Sequence, residues 1–333
     1  MTRRRKKAAR VILGPVGNGG AGFAEAADNA TMKNRERQSL TTRQFAESLG
    51  VSESSVKRWI DDGVIAADRT AGGHRRIPMA AAVRFTRQHR MSPQRPEAMP
   101  LSTVPSLGAV DSEAADECYE ALLSDDAERV RAIIMGRYIS GADIATIGDG
   151  LVRPALGRLG ELWKHDSQGI LVEHRAVDTC IRAMNDLVAW LPSRPSGAPV
   201  SITAAGPGDP YLLPPMLASM TLQEQGSDAR NLGPLTPIET IGLAAERYGA
   251  FMCSLSVSTV QDRKRHAEWT RLADRLEVTR TRLVVGGRCV ESLPTEILVR
   301  ARVCGSMIEL GSYAAGIVQG VGSRHRSLDG RKP

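Results

Sequence analysis

No apolar run in the 333-residue chain is long enough to span a bilayer, so no membrane-embedded function is expected. Aromatic residues make up only 4% of the chain, and Leu, Val, Ile and Ala must therefore fill its cores. The five cysteines, Cys118, Cys180, Cys253, Cys289 and Cys304, include no CxxC pair and no His-paired spacing, which excludes a zinc framework. They read as buried, reduced thiols of a cytoplasmic protein. The opening MTRRRKKAARVILGPVGNGG has adjacent arginines like some export signals, but its apolar part is short and broken by Pro15 and glycines, so secretion is not expected. No nucleophile–base set or metal cluster stands out, and the chain is not expected to be an enzyme.

What is present is positive charge in clusters. The net charge is +7. Arg3, Arg4, Arg5, Lys6, Lys7 and Arg10 crowd the start, Arg324, Arg326, Arg331 and Lys332 the end, and a further group falls between Lys57 and Arg90. Clustering of this kind favours a polyanion, most simply double-stranded DNA. The length suggests two or three domains. Residues 1–36 lack apolar periodicity and read as a disordered basic arm. Residues 37–90 form the first folded region, 91–110 a Pro-rich linker, 111–195 a four-helix region, 197–321 an α/β domain and 322–333 a basic tail.

In the first region Thr41 and Gln44 make a capping box, with Leu40 placed to staple onto Phe45. The helix stops at Gly50, and Ser52 caps a second one carrying Val56, Trp59 and Ile60 on its apolar face. Two short helices joined by a tight turn are a helix-turn-helix, whose second helix enters the major groove. Val64–Arg69 and Arg75–Ile77 read as two strands around a glycine tip, a wing lying along the backbone, and Pro78 opens a helix to His89. Candidate DNA contacts are Thr42, Arg43, Ser54, Ser55, Lys57 and Arg58 on the helices and Arg69, His74, Arg75 and Arg76 on the hairpin. The stretch LTTRQFAESLGVSESSVKRWIDDGVIAADRTAGGHRRIP resembles the winged helix-turn-helix of MerR-type regulators over about residues 39 to 90. The alternative is an excisionase-like or degenerate helix-turn-helix used for protein contacts.

Residues 111–191 show four amphipathic helices, with Pro154 marking a break or kink in the third. Gly169 reads as a helix breaker, leaving Trp163 near the end of the third helix and Glu173–His174 on the fourth. An indole beside a carboxylate and an imidazole suits a planar, partly polar ligand, although a core Trp beside a solvated helix face is the plainer alternative. From Pro199 the pattern alternates, with strands expected at Val200–Ala204, Asp228–Leu232, Ala250–Ser256, Leu283–Val285 and Met307–Leu310, each followed by a helix. This predicts a doubly wound, flavodoxin-like parallel sheet with its ligand end at Gly206–Tyr211, Ser254–Ser258 and Gly286–Gly287.

A helical cap with Trp-x9-Glu-His before such a sheet resembles the cobalamin-binding module of methionine synthase, and behind a MerR-type head the whole order resembles the CarH/LitR light-responsive repressors. The resemblance covers about residues 39 to 320. It implies that Trp163, Glu173 and His174 pack over the adenosyl group of adenosylcobalamin, while Ser254, Ser256, Gly286 and Gly287 hold its tail. It further implies a homo-oligomer, dimer or tetramer, that represses from repeated half-sites and dissociates in light. The chain departs from the family twice. Asp209-Pro210-Tyr211-Leu212-Leu213-Pro214 has Tyr211 where the cobalt-ligating His belongs, and Lys164, with His165 next, follows the cap Trp in place of His. A phenol must lose its proton to ligate well, which puts lower ligation of cobalt in doubt and leaves the metal-ligand role unassigned. The readings left open are cobalamin without a His ligand, a cofactor-free oligomerisation or partner domain, a haem or other ligand on Tyr211, and a corrinoid carrier.

Overall fold

Serine and threonine caps set the first elements in the computed structural model. The structure describes residues 39–70, 72–91, 93–95, 98, 99, 111–162, 167–194 and 196–329; the expected 1–36 arm, most of the linker and residues 330–333 lie outside them, as do the side chains of 111, 112, 162, 167, 168 and 319–329. Leu40–Pro333 form one contact unit, and of the other, Met1–Ser39, only Ser39 is described. Helix α1 (Thr42–Leu49) begins with the expected capping box: Gln44 N donates to Thr41 Oγ1 at 3.1 Å and Thr41 N to Gln44 Oε1 at 2.9 Å. Gly50, at φ 68°, ends it in the left-handed region that glycine enters freely. Ser52 caps α2 (Glu53–Asp61), accepting from Ser55 N.

Three short strands follow the order β1-β3-β2, with β1 at Ser39–Thr41, β2 at Asp68–Arg69 and β3 at Arg75–Pro78. The hairpin pairs Asp68 with Arg76 and Arg69 with Arg75, antiparallel. It is shorter than expected. Val64 N and Ile65 N both donate to Trp59 O, so that stretch closes the turn after α2 and has no ladder to join. Helix α3 (Met79–Gln88) packs Phe85 against Phe45 and Trp59, with ring centroids 6.0 and 4.9 Å apart.

The region expected to hold four helices contains α4 (Asp111–Leu123), α5 (Ala127–Ile139), a run of α6 (Ile144–Ile147), a π turn (Gly148–Val152) and α7 (Arg153–Leu162), and then α8 (Ser167–Val188). Val130, Ile133, Ile134, Tyr138, Leu159, Cys180 and Met184 share its core. Pro154 does not break the third helix. The π turn before it, where Arg153 N reaches back five residues to Gly148 O, widens the coil where the proline ring would meet the preceding carbonyls. Gly169 does not separate the third and fourth helices as expected: α8 already begins at Ser167, and Gly169 is buried in its first turn.

The α/β part alternates β4 (Val200–Ala205), α9 (Leu213–Glu224), β5 (Asp228–Asn231), α10 (Ile238–Tyr248), β6 (Met252–Ser256), α11 (His266–Val278), β7 (Arg282–Gly286), α12 (Thr295–Arg300), β8 (Arg302–Val303) and α13 (Met307–Asp329). All pairings are parallel, in the order β5-β4-β6-β7-β8. That is the doubly wound order 2-1-3-4-5, whose switch point lies between β4 and β6. The fifth strand is not Met307–Leu310. Ser306 accepts from Glu309 N, Asp149 accepts from Met307 N and Ile308 N, and these caps start a helix there. The helix continues through Asp329, so the first part of the expected basic tail is helical. Helix α9 is apolar on two sides: Ala218 and Leu222 pack on the sheet with Met252 and Val284, while Leu213, Met216, Leu217 and Met220 join the core of the helical region. No described helix is long and apolar enough to cross a membrane.

Candidate functional site

The helix caps leave one face of α2 open. Ser54, Lys57 and Arg58 are exposed there, with Arg43 exposed on α1 and Arg69 and His74 exposed on the hairpin. Lys57 is tethered by a surface pair with Glu53, at 3.0 Å. Four other candidates are less available. Ser55 is half-buried and shares a hydrogen bond with Ser52 at 2.8 Å. The Thr42 hydroxyl turns inward and donates to Glu53 Oε1 at 2.7 Å; this bond and Lys57 hold the Glu53 carboxyl below its ordinary range. Arg75 is paired with Asp61 at 2.6 Å, fixing the hairpin to the end of α2, and Arg76 is half-buried. The free cations therefore gather at α2 and the hairpin tip, the arrangement that reaches bases from a helix and phosphates from its flank.

The second site is the carboxyl end of the sheet. Asp209 is fully buried after β4. Its Oδ2 accepts from Ser258 N at 2.6 Å and its Oδ1 from Tyr211 N at 3.1 Å, so one carboxylate binds the loops after β4 and β6 together. Arg288, directly after the glycine pair, donates through Nη2 to the Tyr211 hydroxyl at 2.6 Å and through Nε to Ser258 O at 2.9 Å. Its guanidinium lies 4.8 Å from the Tyr211 ring centroid. Three loops meet in this one constellation. Ser254 is buried, and among the described residues the buried hydroxyls of Ser256 at the end of β6, of Thr203 within β4 and of Thr221 near the end of α9 have no hydrogen-bond partner. Such atoms ask for an acceptor or donor that the described residues do not supply.

Gly286 and Gly287 serve the chain's own backbone. A Cβ on Gly286 would sit 2.5 Å from Cys304 O, and one on Gly287, at φ 120°, 2.5 Å from Val257 O. The expected cap residues are divided. Glu173 is half-buried and His174 exposed near the start of α8, while Trp163, Lys164 and His165 lie outside the described residues. Sequence reading missed Arg288, and it placed Ser258 at the ligand end of the sheet without giving it a role. A basic residue immediately after a glycine pair at a strand end was the available signal for Arg288; Ser258 acts through its backbone, which no side-chain pattern announces.

A lower ligand to cobalt does not fit these residues. Both Asp209 oxygens are engaged by backbone donors, and the Tyr211 oxygen faces a guanidinium. Among the described residues no group of three or more His, Cys, Asp or Glu side chains is placed to hold a metal ion.

Residues 39–90 match the family model described as a helix-turn-helix domain. Among solved structures, the monomethylamine corrinoid protein of Methanosarcina barkeri is similar at 16% identity, over 62% of this chain and 100% of its own, with a TM-score of 0.49. The methanol:cobalamin methyltransferase complex MtaBC of the same organism is similar at 12% identity, over 81% of this chain and 93% of its own, with a TM-score of 0.32. A cobalamin-binding protein from Desulfitobacterium hafniense is similar at 16% identity, over 63% of this chain and 97% of its own, with a TM-score of 0.32. None of the curated proteins matches the chain. No residue here takes its role from these structures. Family match and geometry agree on one point: residues 39–90 are a helix-turn-helix domain.

Proposed function

We propose that the chain is a DNA-binding transcription regulator that reads its operator with α2 and carries a corrinoid-type sensor behind the head. The observation that carries the first half is the open face of α2, with Ser54, Lys57 and Arg58 exposed beside the basic hairpin. The sensor half is supported by the unpartnered hydroxyls of Thr203 and Ser256, on the two strands that flank the switch point of the sheet. In this reading those hydroxyls hold the polar tail of the ligand and Glu173 and His174 form part of its upper wall. Tyr211 contributes no bond to a metal. A bound adenosylcobalamin supplies a cobalt–carbon bond that light can break. The chain's own part is to bind the ligand differently in two arrangements of helices and sheet, since only differential affinity shifts such an equilibrium. Repression by an oligomer is the sign and assembly that the family resemblance implies.

A second reading is favoured by the Tyr211–Arg288–Ser258 constellation, which seals the sheet end with the chain's own side chains. There the module needs no cofactor and serves oligomerisation. Protein mixed with adenosylcobalamin in the dark, desalted and scanned before and after green light separates the two. Retained colour without the spectrum of axial His ligation supports the sensor, and loss of all colour leaves the cofactor-free regulator. A gel shift on DNA upstream of the protein's own gene tests the head: binding that prefers that DNA and weakens with salt is expected, and equal binding to bulk DNA refutes it.

A further inference from the structure

Helix α3 of the head carries two arginines one turn apart, Arg84 and Arg87, and both reach into the rest of the chain. Arg84 Nη1 donates to Ala189 O, just past α8, at 2.9 Å. Arg87 does more. Its Nη1 donates to Tyr138 O at 2.9 Å and Ala142 O at 3.0 Å, at the end of α5, and its guanidinium lies 4.0 Å from the Tyr138 ring centroid. Its Nη2 meets Glu224 Oε1 at 2.9 Å. Glu224, the last residue of α9, uses its other oxygen to accept from Ile144 N at 2.7 Å, at the start of α6. The Glu224 side chain is only 6% exposed. One cation and one carboxylate thus join the head, the helical region and the sheet domain.

Apolar packing between these parts is non-directional and tolerates sliding. A buried carboxylate held by one guanidinium does not, because moving the half-buried Arg87 away leaves the Glu224 charge buried and uncompensated. The pair therefore sets where α3 sits. Helix α9 runs the other way to the sheet end: it begins four residues after Asp209 and, at twelve residues, is about 18 Å long. The reading face of α2 stays exposed in this arrangement, so the contact orients the head without covering it.

We propose that Arg87 and Glu224 form a latch that fixes the DNA-reading head on the body of its own chain, so that the orientation of the head follows the position of α9. In an assembly of several copies the latch would make the spacing of heads a property of the bodies.

The test uses the full chain in a Cys289→Ser background, with spin labels at Glu47→Cys on α1 and Val278→Cys at the end of α11, both exposed positions. Pulsed dipolar spectroscopy reads the head-to-body distance. One narrow distribution is expected for the parent, and at least a doubling of its width for Arg87→Ala and for Glu224→Gln. A width in Arg87→Ala equal to the parent's overturns the proposal. Circular dichroism melting checks that each variant is folded. If Arg87→Ala does not fold, Arg87→Lys keeps the charge but loses the forked reach to several acceptors; it too must broaden the distribution, and an unchanged width overturns the latch. No cofactor is involved, so the outcome is independent of whether the sensor takes a corrinoid.

Discussion

At Gly287 the backbone adopts a φ of 120° and the added carbon of any other residue meets Val257 O. Gly287→Ala should cost about 1–3 kcal/mol, seen as a lower denaturant midpoint at unchanged slope. Thr42→Ala removes an inward hydrogen bond to Glu53 and should destabilise the head by about 1 kcal/mol, read by thermal melting of the full chain. Thiol chemistry gives a sharper check. Burial pushes Cys118 and Cys253 up to about 12 and Cys180 and Cys304 upward as well, so these stay protonated and shielded at pH 8. Alkylation followed by mass analysis should modify the half-buried Cys289 alone among the five cysteines until denaturant is added. Modification of Cys118 or Cys253 in the native protein would contradict the packing described. At this scale the sequence was legible where one residue announces its own role, as Thr41, Gly50 and Ser52 do. It was not legible for Thr42, whose hydroxyl turns inward because its partner stands eleven residues away.

Among the elements, α13 and the π turn depend on each other. Asp149, carried on the π turn, accepts from Met307 N and Ile308 N and so caps a helix more than 150 residues away. Asp149→Ala should cost about 0.5–2 kcal/mol, measured by denaturant unfolding, and Asp149→Asn should recover part of it. The misreading of Met307–Leu310 as a strand has a clear cause. A four-residue apolar run has no period of its own, and the capping signal Ser306-x-x-Glu309 in front of it was the stronger cue. Pro154 marks an irregularity of another kind than a chain break: the α-helix gives way to a wider π turn just before it, which no propensity scale anticipates. The alternation from Val200 to Gly286 was readable where a strand is a short apolar run bounded by polar turns, as in β4, β6 and β7; the two-residue β8, Arg302–Val303, is exposed and carries no such run.

Across the whole molecule the head and the long-range contacts differ in how far the sequence announces them. The head could be read directly, since capping box, turn glycine and basic hairpin all lie within about fifty residues. The Tyr211–Arg288 seal and the Arg87–Glu224 latch join positions 77 and 137 residues apart, and nothing in the spacing of a sequence places such partners together. The central claim is that the chain reads duplex DNA in sequence through α2. It is tested most directly by selecting a duplex from a random pool with the full chain, then titrating that duplex and a scrambled one at about 0.15 M salt. A preference of at least about 10³-fold for the selected duplex is expected. Lys57→Ala should lower the salt slope by about one, and Arg58→Ala should erase most of the preference. Equal affinity for the two duplexes, or a preference untouched by Arg58→Ala, would contradict the claim.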